Sequence, residues 1–218
     1  MNEIILMSDP RVGAVQVQEC GEPLVDIRQY KQLLVDLRKQ CDSDGYFYLR
    51  PGLADRLAHA EAELPDGMRF LVVEGYRPPA LQRRYFAEYM NQLRSHQPDW
   101  TEERLRSATS RFVSPPEIAP HSAGAAVDLT LVDKKGNELD LGTPMNATPE
   151  ESSGACYTDA FNIDGEARAL RGVLKSVLVA AGLVNYPTEW WHWSYGDRYW
   201  ALATGAENAV YGPLEGLH

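Results

Sequence analysis

Several features that would each have fixed a class of protein are scarce or missing. Cysteine is rare: Cys20, Cys41 and Cys156 are the three in 218 residues. They are widely spaced and odd in number, which excludes a disulfide framework and a CxxC metal knuckle. They read as reduced packing residues. No apolar run approaches the ~20 residues of a membrane span. The first ten residues carry Glu3 and Asp9 around a short apolar stretch, Ile4 to Met7, without the basic start of a secretory leader. A cytoplasmic protein with no membrane partner is expected. Positive charge is in deficit, with 21 Lys and Arg against 31 Asp and Glu and a formal net charge of -10. That balance argues against a broad electrostatic grip on nucleic acid. Repeats and low-complexity tracts are absent.

What remains is an ordinary globular composition, 44% hydrophobic and 24% charged. The length suits one domain over residues 1–218 with room for a sizeable insertion. Residues 45–50 read as the start of a strand. Pro51 opens a helix with Leu53, Leu57, Ala60 and Leu64 at helical spacing. Residues 69–74 form a compact apolar strand that ends at the turn Gly75-Tyr76-Arg77-Pro78. From 79 to about 111 the chain is charged and helical. Asp99 and Glu102 have capping-box spacing for a second helix, and this block reads as an excursion from the core. Three prolines exclude regular structure over 113–120. Residues 125–132 read as a strand, with 138–141 pairing back as a hairpin. Residues 142–162 are a long polar loop. The best helix is 165–181, with Leu170, Val173, Leu174, Val177 and Leu178 on one stripe between Asp164 and Gly182. The aromatic run 189–195 reads as a strand. Strands interrupted irregularly by helices predict an α+β fold.

Two segments carry the chemistry. In the first, His121 precedes Asp128 by seven residues, and Asp128 sits inside an apolar strand. A carboxylate there needs a partner or a metal. Gly124 lets the chain turn back toward the strand, and Ala126 leaves room above the sheet. From this segment alone, a loop-capping histidine and an aspartate at the sheet rim fit equally well. The second segment is Glu189-Trp190-Trp191-His192-Trp193. In a regular strand Glu189 would point away from His192, so both can serve one site only if Glu189 lies in the turn after Pro187. On its own this segment reads more simply as an aromatic core strand. Together the two supply two histidines, an aspartate and a spare glutamate. That inventory suits zinc catalysis, which needs three protein ligands, an open water position and a base. His59, His96 and His218 fit less well.

These residues carry a resemblance. The pattern from His121 through Gly124 and Ala126 to Asp128, the Glu189-to-His192 pair and the Glu74-Gly75-Tyr76-Arg77-Pro78 segment resemble, in order, three motifs of the D-alanyl-D-alanine dipeptidases. That family includes the vancomycin-resistance enzymes. It is related to zinc D,D-carboxypeptidases and shares its fold with the hedgehog signalling domain. The match spans about residues 69–195. It implies a mainly antiparallel sheet that carries the zinc site, with helices packed around it. It implies one zinc ion per chain held by His121, Asp128 and His192, with Glu189 as general base and Arg77 stabilising the transition state. By the same resemblance a small peptide is the substrate, and Tyr76, Ala119 and Asn146 fall at substrate-side positions.

Two of those positions depart from the pattern. The family signature has serine where this chain has Ala119, and an acid where it has Asn146. In the family these groups hold the substrate's free ammonium. Losing charge-assisted partners for a buried ammonium costs binding energy, unless Asp140, Glu150 or Glu151 compensates. Three functions follow. The first is a metallo-dipeptidase hydrolysing a D-amino-acid dipeptide, D-Ala-D-Ala or a relative. The second is a D,D- or L,D-carboxypeptidase acting on cell-wall stem peptides. The third is a non-catalytic zinc-bearing binding module, against which Glu189 and Arg77 both speak. The oligomeric state is open.

Overall fold

The computed structural model describes residues 4–37 and 44–216. Cys41 and His218 lie outside the described residues. The helices are α1 (Pro10–Ala14), α2 (Pro51–Ala62), α3 (Pro79–His96), α4 (Glu102–Thr109), α5 (Gly165–Ala180) and α6 (Arg198–Thr204). The strands are β1 (Val25–Asp26), β2 (Leu34–Val35), β3 (Tyr48–Leu49), β4 (Met68–Glu74), β5 (Ala126–Asp133), β6 (Val184–Asn185) and β7 (His192–Ser194). β1 and β3 form a small pair. The main sheet runs β2-β4-β5-β7-β6 and is antiparallel except for β2 against β4. This is the expected α+β fold with a mainly antiparallel sheet. Among the described residues no helix is long and apolar enough to cross a membrane.

The alternation along β5 divides the molecule. Val127, Leu129 and Leu131 turn to one face and join Phe70, Val72, Leu53, Leu57, Leu174 and Leu178 in the main core. Fully burying each such side chain stabilises the fold by about 1.5–3 kcal/mol. α2 and α5 close that side. Ala126, Asp128 and Thr130 turn to the other face, and every residue from Ala126 to Val132 is buried. α3 and α4 carry a separate small core of Phe86, Tyr89, Leu93, Leu105 and Val113.

Several local readings change. Thr101 caps α4, its side chain accepting from the Arg104 amide at 3.2 Å, in place of the Asp99 cap. The segment after the Lys134–Asn137 turn makes one isolated bridge, Val132 to Glu138, rather than a full hairpin strand. The chain does pair back, the Asp133 amide bonding the Asn137 carbonyl and the Leu139 amide the Leu131 carbonyl, and the Asp133 carboxylate shapes the turn by accepting the amides of Lys135 and Asn137. On α5 the stripe includes Arg171, which lies between the buried Ala167 and Leu174. Its guanidinium donates to the carbonyls of Leu141, Ala155 and Tyr157, tying the start and the second half of the 142–162 loop to the helix. Burial brings its pKa down to about 10. Cys156 is buried and free as expected, whereas Cys20 is exposed.

Candidate metal and catalytic site

The site lies where β4, β5 and β7 meet on the face away from the main core. Strand register creates most of it. Asp128 is the direct partner of Glu74 on one side and of His192 on the other. Opposed residues in antiparallel strands place their Cβ atoms ~4.5–5.5 Å apart, so three polar side chains stand in one row. His121 arrives from outside the sheet. Pro120–Ala123 forms a single 3-10 turn that ends at Gly124 with φ +65°. A left-handed residue there reverses the chain into β5, and a Cβ would lie 2.3 Å from the Leu24 side chain.

The imidazole of His121 is oriented by backbone. Its Nδ1 is 2.7 Å from the Gly75 carbonyl, the geometry of a donated N–H, which leaves Nε2 as the lone-pair nitrogen facing the site. Gly75 sits so close to the preceding chain that a Cβ would lie 2.6 Å from the Tyr48 carbonyl oxygen. Nε2 of His121 is 3.2 Å from Nδ1 of His192 and 3.3 Å from Oδ1 of Asp128. His192 Nδ1 is 3.1 Å from the same oxygen. Three donor atoms about 2.1 Å from one ion in a tetrahedral set stand roughly 3.4 Å apart. The observed triangle fits that spacing, and these three residues form a group that can hold a metal ion. Burial alone would raise the Asp128 carboxyl, but the two imidazoles hold it well below the usual carboxylate range. Burial lowers His192, with Asp128 opposing, so the ring favours its neutral, ligating form.

Glu189 does sit in the turn after Pro187. Its amide bonds the Tyr186 carbonyl, and regular pairing starts only at His192. The strand expected over 189–195 therefore starts three residues later and is confined to His192–Ser194. Because of that turn the Glu189 carboxylate stands 3.9 Å from His192 Nδ1 instead of on the opposite face. Burial and the Asp128 charge push Glu189 well above the usual carboxylate range, and Arg77 pulls it back. Arg77 is held by a 2.5 Å contact from its Nε to Glu74 and by Gln82 Oε1 at 2.8 Å. Burial works against its charge, but Glu74 overrides that and keeps the guanidinium protonated.

All six of these side chains (Glu74, Arg77, His121, Asp128, Glu189 and His192) line one cavity of about 390 Å³. Asn146 and Glu151 line it from the loop, and Tyr85, Tyr89 and Gln92 from α3. Tyr76 and Ala119 are buried beside the site without lining the cavity, and the Tyr76 hydroxyl donates to the Leu214 carbonyl at 2.7 Å. Of the three acids weighed as compensating groups, Asp140 accepts from the Gly142 amide and lies elsewhere. Glu150 is engaged by Arg111 and by the Tyr89 hydroxyl. Glu151 alone faces the cavity, accepting from the Thr148 hydroxyl at 2.9 Å. Two orienting groups had no sequence signal strong enough to single them out, the Gly75 carbonyl and Gln82.

A buried His/Asp/His triangle beside a glutamate and an arginine, in a peptide-sized cavity, defines a metallopeptidase type of site. The D-ala-D-ala dipeptidase model of the Peptidase_M15 family matches residues 50–206, and the chain belongs to that family. A D-alanyl-D-alanine dipeptidase of Synechocystis sp. is 30% identical over 216 residues, covering 86% of this chain and 87% of the relative. One of Enterococcus faecium is 27% identical over 151 residues, covering 67% and 72%. The solved structure of the LdcB LD-carboxypeptidase is similar with a TM-score of 0.47 at 18% identity, covering 87% of this chain and 77% of that one.

Proposed function

We propose that this chain is a zinc dipeptidase acting on a small D-amino-acid dipeptide, D-Ala-D-Ala or a relative. His121, Asp128 and His192 hold one zinc ion per chain. The observation that carries this reading is the convergence of three donor atoms, 3.1–3.3 Å apart, on a cavity that Glu189 and Arg77 also line. Zinc bound there supplies Lewis acidity and an activated water near neutral pH. Glu189 takes the proton of the attacking water and returns it to the leaving amine, a role suited to a carboxylate whose pKa burial has raised. Arg77 faces the charge that develops on the carbonyl oxygen. Its clamp by Glu74 and Gln82 fixes the guanidinium before substrate arrives, so little reorganisation is needed in the transition state. The buried pairing of Glu74 with Arg77 supports catalysis over a non-catalytic zinc module, which needs neither an arginine nor a free base.

We place the protein in the cytoplasm as one domain over residues 1–218, working on cell-wall-derived peptides without a nucleic-acid or membrane partner. One observation favours a second reading. Asn146, uncharged, lines the cavity where the resemblance calls for an acid. A D,D- or L,D-carboxypeptidase acting on longer stem peptides has no ammonium to hold there. A screen of zinc-loaded protein against dipeptides of all four stereochemistries, each free and N-acylated, and against longer stem-type peptides separates the readings. Preferential cleavage of a free D,D-dipeptide supports the dipeptidase, and preference for blocked or longer peptides supports the carboxypeptidase. No hydrolysis of any of them, by protein that holds zinc, removes both.

A further inference from the structure

His192 has a second nitrogen, and its surroundings are incomplete. With Nδ1 turned to Asp128 and His121, the ring's proton resides on Nε2. That atom is shielded from solvent and has no hydrogen-bond partner. A buried donor left so is destabilising, because its bond to water is lost and not replaced. The same stretch of chain holds a matching unpaired acceptor. His192 and Ser194 share one face of β7. Beyond Ser194 the chain reverses at Gly196, with φ +81°, and Asp197 caps α6. Oδ1 of Asp197 accepts from the amides of Tyr199 at 2.7 Å and Trp200 at 3.2 Å. Its other oxygen, Oδ2, is buried without a partner. Asp197 is 2% exposed and His192 3%. Burial raises the Asp197 carboxyl, while Ser194, the two amides and His192 draw it down.

We infer that Asp197 is a positioning residue for His192: its free Oδ2 accepts from Nε2–H through one buried water and holds the ring in its metal-binding orientation. This rests on the reading of His192 as a zinc ligand. The chemistry is general. An imidazole ligand whose outer N–H meets a carboxylate is fixed in tautomer and made more basic, and loss of such a partner typically weakens metal affinity ~10–100-fold. A water needs polar partners and room, and two unpaired buried atoms of opposite role supply the partners. Helix capping alone requires one carboxylate oxygen, so it leaves Oδ2 unexplained.

The test separates the cap from the second oxygen. Asn and Ser both cap helices about as well as Asp, so Asp197→Asn and Asp197→Ser keep α6 while removing the carboxylate. Zinc dissociation constants, measured by chelator competition, should rise about 10- to 100-fold in both variants. Melting temperatures of the metal-free proteins should stay near the parent's. Zinc binding within about two-fold of the parent in both variants overturns the inference. A parent that binds no zinc overturns the zinc site itself, which is a different result. Should neither variant fold, imidazole ¹H–¹⁵N spectra of the zinc-loaded parent decide. A His192 Nε2 proton shifted downfield, as hydrogen bonding toward a carboxylate produces, is expected, and one at the shift of an unbonded imidazole N–H sinks the proposal.

Discussion

The cavity has two sides made of different material. On the sheet side, Glu74, His121, Asp128, Glu189 and His192 are all buried, and each is set by strand register or by a tight turn anchored to a strand. On the facing side stand α3 and the 142–162 loop, with Asn146 and Glu151 exposed. The difference assigns the work. Groups that must agree to a fraction of an ångström lie on paired backbone, where neighbouring strands leave no freedom. On the proposed reading, groups that only choose among substrates lie on a loop, where change is cheap. Substitutions on the sheet side should therefore abolish chemistry, and those on the loop side should retune it.

The largest effect belongs to His192→Ala. Two remaining ligands are too few for a zinc site. Metal analysis after dialysis should find no stoichiometric zinc, and hydrolysis should fall to background. Full zinc occupancy with unchanged turnover would remove the triangle from the mechanism. Next is Glu189→Gln, which keeps the shape and the metal but loses the base. Turnover should drop ~10²–10⁴-fold. The same substitution has an opposite effect on the metal-free fold. Glu189 has a raised folded-state pKa, so its protonated form favours folding. That contribution is present below the unfolded value of ~4.3 and lost as pH rises through the folded one. At pH 7 the metal-free Glu189→Gln protein should melt higher than the parent, and the gap should close below about pH 4. A parent at least as stable as the variant at pH 7 contradicts the raised pKa.

Arg77→Lys comes third. A lysine ammonium cannot hold Glu74 and Gln82 in a planar fork while facing the substrate. Loss of a preorganised oxyanion donor typically costs ~10²–10³-fold in turnover, with KM changing little. A pure KM effect would move Arg77 from transition-state stabilisation to substrate binding.

The same division explains what the sequence made legible. The sheet side was readable because residue type and spacing are tied to strand geometry there. His121 and Asp128 bracket a glycine reversal, and Glu189 had to leave the strand if it was to meet His192. The helices α2 and α5 were likewise plain from their apolar stripes. What escaped was backbone and context. The Gly75 carbonyl that orients His121 has no side-chain signal at all. Arg171 sits in an apolar stripe where its charge suggests a solvated face, and only the carbonyls of a distant loop explain it. Thr101 outcompeted Asp99 as the cap because it stands directly before α4. On the loop side the sequence left Asp140, Glu150 and Glu151 open, with the last two reading more simply as a solvated loop, and packing alone singled out Glu151.

The smallest expected effect tests the loop side itself. If Asn146 replaces an ammonium-holding acid, D-Ala-D-Ala should be a poor substrate of the parent. Restoring the acid through Ala119→Ser with Asn146→Asp should improve its use. Asn146 lines the cavity and Ala119 is buried outside its lining, so Asn146→Asp should carry most of the gain. A charge-assisted hydrogen bond contributes about 1.5–3 kcal/mol. Asn146 is exposed, and solvent screening draws the value toward the low end, so KM should fall roughly ten-fold. Turnover should barely move, because on this reading the restored groups bind the ammonium and not the scissile carbonyl. An N-acylated dipeptide, which lacks the charge, should gain nothing. The rival is Glu151, which faces the same cavity and already offers a carboxylate. If Glu151 holds the ammonium, the parent cleaves D-Ala-D-Ala efficiently, the double substitution changes little, and Glu151→Gln raises KM for the free dipeptide alone. Steady-state kinetics on the three proteins with the two peptides distinguishes a lost ammonium site from a relocated one.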